Sequence, residues 1–157
     1  MAIIRTKGTI FVLILESVMR LTRGGEYGIR GMLYLAMQPP GTVALLSEIA
    51  GFQNTPESYL AKIFQLLARA RLVRSHRGFK GGYSLGRAPE AITIKDVIEG
   101  IEGPIALNRC ALPNSGCAEK KACTIQVVWK DAQDAMLGVL DGTTLADLAD
   151  KSLVRHP

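Results

Sequence analysis

The sequence predicts a mainly α-helical fold carrying a single two-stranded β-hairpin. Apolar residues recur at three- and four-residue spacing in several separate stretches, which is the mark of amphipathic helices. One glycine-rich turn, Arg77-Gly78-Phe79-Lys80-Gly81-Gly82, sits between two short segments suited to strands. The size also fits: 157 residues with 48% hydrophobic and 21% charged side chains make one domain plus an appendage, and exclude a large enzyme fold, a disordered chain and a membrane-spanning one.

The first helix is expected from Gly24 to Gln38, with Ile29, Met32, Leu33 and Ala36 inward and Pro39-Pro40-Gly41 as its stop. A short second helix follows from about Leu45 to Ala50, with Leu46, Ile49 and Ala50 inward, ended by Gly51. Thr55-Pro56-Glu57 supplies a cap, a first-position proline and a first-turn acid for a third helix. Its apolar face is Leu60, Ile63, Phe64 and Leu67, and the opposite face carries Ser58, Tyr59, Ala61, Lys62 and Gln65. The hairpin comes next, and then Thr93-Ile94-Lys95-Asp96 opens a fourth helix as a capping box, stopped by Gly103-Pro104. A loop from Ile105 to Ala122 leads to a long helix from about Thr124 to Leu140, expected to bury Ile125, Val128, Trp129, Ala132, Met136 and Val139. One or two further helical turns span Thr144 to Ala149.

Nineteen Lys and Arg against fourteen Asp and Glu give a net charge of +5. Between Ser58 and Pro89 stand Lys62, Arg69, Arg71, Arg74, Arg77, Lys80 and Arg87 with no acid among them. One sign of charge gathered on a helix and an adjoining hairpin is the footprint of a phosphate-backbone binder; the plain alternative is a solvated basic face. Helix, helix, helix, hairpin is the order of a winged helix-turn-helix, whose third helix enters the major groove of double-stranded DNA. Ser58, Tyr59 and Lys62 would then reach base edges, Arg77 at the hairpin tip a narrow minor groove, and Arg71, Arg74 and Lys80 phosphates. Tyr59 has a second reading as a partly buried packing residue.

Cys110, Cys117 and Cys123 are separated by six and five residues on the loop before the long helix. An odd cysteine number argues against a closed disulfide framework and for a reducing, cytoplasmic setting. Clustered thiols there point to a metal, and the spacing suits an iron–sulfur cluster better than zinc, which lacks a nearby fourth Cys or His. A thiol switch without metal and buried structural cysteines are the alternatives. Gln126, one turn after Cys123, and Glu26 on the first helix are the candidates for a fourth ligand. A nucleotide-binding glycine motif, a Ser/His/Asp or Cys/His arrangement and paired acids are all missing, so neither an enzyme nor a small-molecule substrate is expected.

Met19-Arg20-Leu21-Thr22, Ser58-Tyr59-Leu60, Arg77-Gly78-x-x-Gly81-Gly82-Tyr83-x-Leu85, Ile92-Thr93-Ile94-x-Asp96-Val97-Ile98 and the cysteine trio before a helix with Trp129 resemble the Rrf-type winged-helix transcriptional regulators. The similarity covers Met19 to about Leu148. It implies a homodimer paired through the long helix, reading a palindromic operator with two winged domains. It also implies an iron–sulfur cluster, 2Fe-2S or 4Fe-4S, held by Cys110, Cys117 and Cys123, through which redox state, nitric oxide or cluster supply is sensed. IscR-like members carry a histidine where this chain has Gln126. NsrR- and RsrR-like members use a carboxylate eight residues into the first helix, which counts to Glu26, the favoured fourth ligand. Resemblance to the cluster-free CymR leaves open a thiol-sensing regulator acting through a protein partner.

The expected division is an N-terminal extension at 1–18, a winged domain at 19–103, the cysteine loop at 104–123, the dimerisation helix and a short tail helix at 124–150, and a tail at 151–157. The extension has the charged-then-apolar order of a signal peptide but no small-residue cleavage site before Met19, so secretion is not expected. Leu15-Glu16 can be encoded by CTG-GAG, a ribosome-binding sequence spaced for a start at Met19, which is the expected first residue of the functional protein.

Overall fold

Helix α1 (Arg23–Ala36) opens on Thr22, whose hydroxyl accepts from the Gly25 amide at 3.3 Å. The computed structural model describes residues 22–78, 81–108 and 123–155, with 151–155 given by backbone alone. The extension at 1–18, Lys80, Cys110 and Cys117 lie outside the described residues. Helices α2 (Leu46–Phe52) and α3 (Glu57–Arg69) follow, then strands β1 (Val73–His76) and β2 (Gly82–Leu85), a 3-10 turn at Pro89–Ala91, and helices α4 (Ile94–Glu102), α5 (Ile125–Asp141) and α6 (Leu145–Arg155). Among these helices none is long and apolar enough to cross a membrane.

The apolar face of α3 is as the spacing predicts, with Leu60, Ile63, Phe64 and Leu67 all buried. Its start is not. Pro56 occupies the cap position and the Thr55 hydroxyl faces the Gln53 carbonyl at 3.4 Å rather than an amide of α3, so the boundary lies one residue later than expected. Helix α2 likewise runs through Gly51 to Phe52. At the other end of α3 the Arg71 amide donates to Ala68 O (3.0 Å) and the Leu72 amide to Leu67 O (2.9 Å). That six-to-one closure puts Arg71 at φ 59°, where glycine is the usual occupant.

Helix α1 corrects the expected face. Its buried positions are Gly24, Gly25, Gly28, Gly31, Met32 and Leu35, while Ile29, Leu33 and Ala36 are half-buried. The glycines are buried because neighbours fill the space of the missing side chains: a Cβ on Gly31 would stand 2.8 Å from the Phe64 ring, and one on Gly28 would collide with Ile101. Backbone and ring meet there at a distance no other residue allows.

The hairpin is antiparallel, pairing Val73 with Leu85 and His76 with Gly82. Ala44 adds a further, isolated rung through its amide to Tyr83 O (2.9 Å) and the Tyr83 amide to Ala44 O (2.8 Å). This explains the glycine pattern of the turn: Gly78 takes φ 108°, and a side chain on Gly82 would strike the Ala44 carbonyl. The Phe64 and Tyr83 rings meet edge-on at 4.9 Å.

Helix α4 begins as the predicted capping box, Thr93 with Asp96, and ends at Gly103 with φ 84°. Two main-chain bonds, Ile94 amide to Thr143 O (3.0 Å) and Leu145 amide to Ile92 O (2.9 Å), bring the chain back beside α4 after α5. Helix α6 is longer than expected and packs on α1, with Leu145 fully buried. Helix α5 departs most from expectation. None of its residues is buried, and Ile125, Val128 and Val139 are 50%, 57% and 69% exposed. Trp129 and Ala132 are exposed as well; Met136 is half-buried and, with Leu137 and Leu140, packs on the core.

Replacing Gly31 by Val is expected to lower stability to urea by about 3 kcal/mol, because a branched side chain meets the fully buried Phe64 ring with no room to move.

Candidate nucleic-acid interface

The first turns of α2 and α3 and the hairpin share one open cleft of about 280 Å³, lined among others by Ser47, Glu57, His76 and Gly82. The third helix, the one expected to read DNA, is thus set beside the wing by the same packing that buries Phe64. Ser58 and Lys62 are exposed one helical turn apart on the outer side of α3. Lys62 makes no ion pair among the described residues. Tyr59, 40% exposed, rests edge-on against Tyr27 with ring centroids 5.9 Å apart. It therefore combines both readings, one ring edge packed and the remainder open to a partner.

On the hairpin, Arg74 is exposed on β1 and Arg77 is exposed just past its end, beside the left-handed Gly78. His76, exposed on the same strand, shares a 2.8 Å hydrogen bond between its Nε2 and Ser84 Oγ. Ser47, Ser75 and His76 were not singled out from sequence; the signal that finds them is the Ala44 rung, which folds the α2 N-terminus onto the wing and has no sequence signature. Exposed Arg69, Arg71 and Arg87 extend the positive surface to the far end of α3.

The candidate metal ligands are less completely described. Cys123 is a free, half-buried thiol immediately before α5, and its carbonyl accepts from the Gln126 amide at 3.2 Å. Glu26 lies in the first turn of α1, exposed, with its Oε1 accepting from Arg30 Nη2 at 2.6 Å. Among the described residues no group of three or more His, Cys, Asp or Glu stands ready for a metal. The start of the cysteine loop is held on both sides: the Ile105 amide donates to Glu99 Oε1 of α4 (3.2 Å) and the Leu107 amide to Gln133 Oε1 of α5 (3.0 Å). Glu102, on the last turn of α4, accepts from both the amide (3.1 Å) and the hydroxyl (2.8 Å) of Thr22. Helix α4 thus bonds to the cap of α1 and to the loop together.

Comparison with known proteins agrees with this arrangement. Residues 21–151 match the Rrf2 family model, described as iron-dependent transcriptional regulator. The chain is 39% identical over 142 residues, 88% of this chain and 86% of the other, to Rv1287 of Mycobacterium tuberculosis, provisionally named an HTH-type transcriptional regulator. Among solved structures, CymR (YrzC), the global cysteine regulator of B. subtilis, is 37% identical with a TM-score of 0.69, covering 85% of this chain and 98% of that one. IscR of T. potens is 29% identical with a TM-score of 0.71, covering 88% and 92%. With helix order, wing and family match in agreement, the chain belongs to the Rrf2 family and is a winged-helix transcriptional regulator, not an enzyme.

Proposed function

We propose that the protein is a homodimeric repressor or activator whose affinity for a palindromic operator is set by an iron–sulfur cluster. The observation that carries the dimer is the uncovered stripe of α5, where Ile125, Val128, Trp129, Ala132 and Val139 recur at helical spacing over a helix of about 26 Å. A face this apolar, left open by its own chain, is what a two-fold copy covers. Ser58, Tyr59 and Lys62 read bases, Arg77 enters the minor groove, and Arg74 and Lys80 hold phosphates.

Cys110, Cys117 and Cys123 with Glu26 are the proposed ligand set. The donors suit the group: thiolates are the ordinary ligands of iron–sulfur clusters. Glu26 is committed only to an exposed i,i+4 pair with Arg30, worth about 0.3–0.5 kcal/mol, so its carboxylate is released easily. Such a cluster supplies a redox- and nitric-oxide-reactive centre. Reordering of the cysteine loop reaches α4 through the Glu99 bond and α5 through Gln133, and either path shifts the two recognition helices relative to one another. The likeness to CymR favours one other reading, a thiol-sensing regulator without a cluster that acts through a protein partner.

Protein purified without oxygen is expected to be brown, with visible sulfur-to-iron absorption and stoichiometric iron and sulfide, and Cys117→Ala is expected to abolish the colour. Colourless, iron-free protein after reconstitution selects the thiol-sensing reading. Val128→Asp is expected to place an unpaired charge in the subunit interface, costing about 3 kcal/mol per subunit, and to convert the dimer to monomer in analytical ultracentrifugation. Arg77→Ala is expected to cost about 1–2 kcal/mol on duplexes with A·T-rich flanks and markedly less on G·C-rich ones, measured by fluorescence anisotropy on duplexes selected from a random pool.

A further inference from the structure

A winged helix-turn-helix that sets its third helix in the major groove and its hairpin in the adjacent minor groove straddles one phosphate backbone, the strand that separates the two grooves. Whatever lies between recognition helix and wing therefore faces phosphates. The cleft of about 280 Å³ occupies that place, with Ser47 on its α2 side, Glu57 at the first turn of α3, and Ser75 and His76 on the wing. Among the described residues that line it, Glu57 is the one acid and His76 the one side chain able to gain a positive charge.

His76 differs from the arginines beside it in being anchored. It is exposed, yet its Nε2 shares a 2.8 Å hydrogen bond with the hydroxyl of Ser84, a residue only 8% exposed. The register sets Arg74 opposite Ser84 and His76 opposite Gly82, so the bond runs diagonally across one face of the hairpin. Arg74 and Arg77 are exposed and make no ion pair among the described residues. A ring held through one nitrogen presents the other in a fixed direction, which reduces the entropy lost when a partner binds it. The anchor also survives the gain of a proton. The hydroxyl donates to a bare Nε2 or accepts from Nε2–H, and the imidazolium carries N–H on both nitrogens, so protonation leaves a charged donor at Nδ1 with the Ser84 bond intact. The charged and titratable groups around the ring are Glu57 across the cleft, Arg74 and Arg77 along its own chain segment, and Tyr83 on β2; Glu48 of α2 is engaged by the Leu45 amide at 2.8 Å.

We propose that His76 is a pH-dependent DNA contact, its imidazolium donating through Nδ1 to the backbone phosphate between the two grooves, so that affinity for duplex DNA is highest in mild acid and falls as pH rises through the range in which histidine loses its proton. The sign follows from linkage. A duplex that binds the charged ring more tightly takes up a proton, and raising the pH removes both the charge and the donor. The reading head thereby responds to pH by itself, apart from the cysteine loop. This contact rests on the docking of α3 and wing put forward above, and needs neither the cluster nor the dimer.

The test is fluorescence anisotropy with the full-length protein, purified without oxygen, and a duplex selected from a random pool, between about pH 5.5 and about pH 7.5 at constant ionic strength. Affinity is expected to fall about fivefold across that range, the weight of one charge-assisted contact. His76→Gln keeps a hydrogen-bonding group for Ser84 but cannot be charged. It is expected to bind at every pH as the unsubstituted protein binds at the alkaline end, with its melting temperature unchanged. His156→Gln, at the only other histidine of the chain, is expected to keep the full dependence. In the unsubstituted protein, the midpoint of the His76 ring-proton titration followed by NMR is expected to rise when the duplex is added. An affinity that is flat with pH, a dependence as steep in His76→Gln as in the unsubstituted protein, or a midpoint that the duplex leaves in place overturns the proposal. Absence of duplex binding at every pH overturns the docking reading, and this contact with it.

Discussion

The Phe64 ring is the contact on which the reading head depends. It is fully buried, it lies against the bare backbone of α1 at Gly31, and it meets Tyr83 of β2 edge-on. A single side chain of the recognition helix thereby fixes that helix against the scaffold on one side and the wing on the other. The Ala44 rung then ties the wing to the segment leading into α2. Relative placement of recognition helix and wing is what a groove-binding surface must hold constant, because a shift of an ångström there changes which base edges are within reach.

Helix α4 has the corresponding position for the rest of the chain. It contributes Val97 and Ile98 to the core, binds Thr22 at the start of α1 through Glu102, and binds the first residues of the cysteine loop through Glu99. Glu99 and Glu102 lie about one turn apart at the C-terminal end of α4, so the cap of α1 and the start of the loop are held at the same place. The hydrogen bonds involved are partly exposed, and bonds of that kind are individually worth only about 1 kcal/mol.

How much of this was legible in the sequence depends on whether the signal was local. The α3 apolar face, the Thr93–Asp96 box and the Gly103 stop were legible because each is decided within one or two turns. The buried face of α1 was not, because periodicity counts side chains and the burial of Gly28 and Gly31 is decided by Ile101 and Phe64, distant in sequence. The stripe on α5 was visible as amphipathic, but periodicity does not distinguish a face covered by the same chain from one left for another. Among site residues, the exposure of Ser58, Lys62, Arg74 and Arg77 follows from spacing and turn chemistry. The grouping of Arg71 and Arg74 with Arg87 does not, since it needs the hairpin to fold back past the end of α3.

The main-chain bonds of Ile94 and Leu145 to the residues around Thr143 and Ile92 give the chain a point of return. Everything between Gly103 and Thr143 is an excursion whose exit and return both lie on α4. Closure entropy rises slowly with length, by about 0.6 kcal/mol for each doubling. In the loop that precedes α5, a change of length therefore costs little in closure entropy, while α1 to α4 and the wing stay in register. One winged-helix unit can in this way be paired, over evolutionary time, with inserted loops of different length and chemistry.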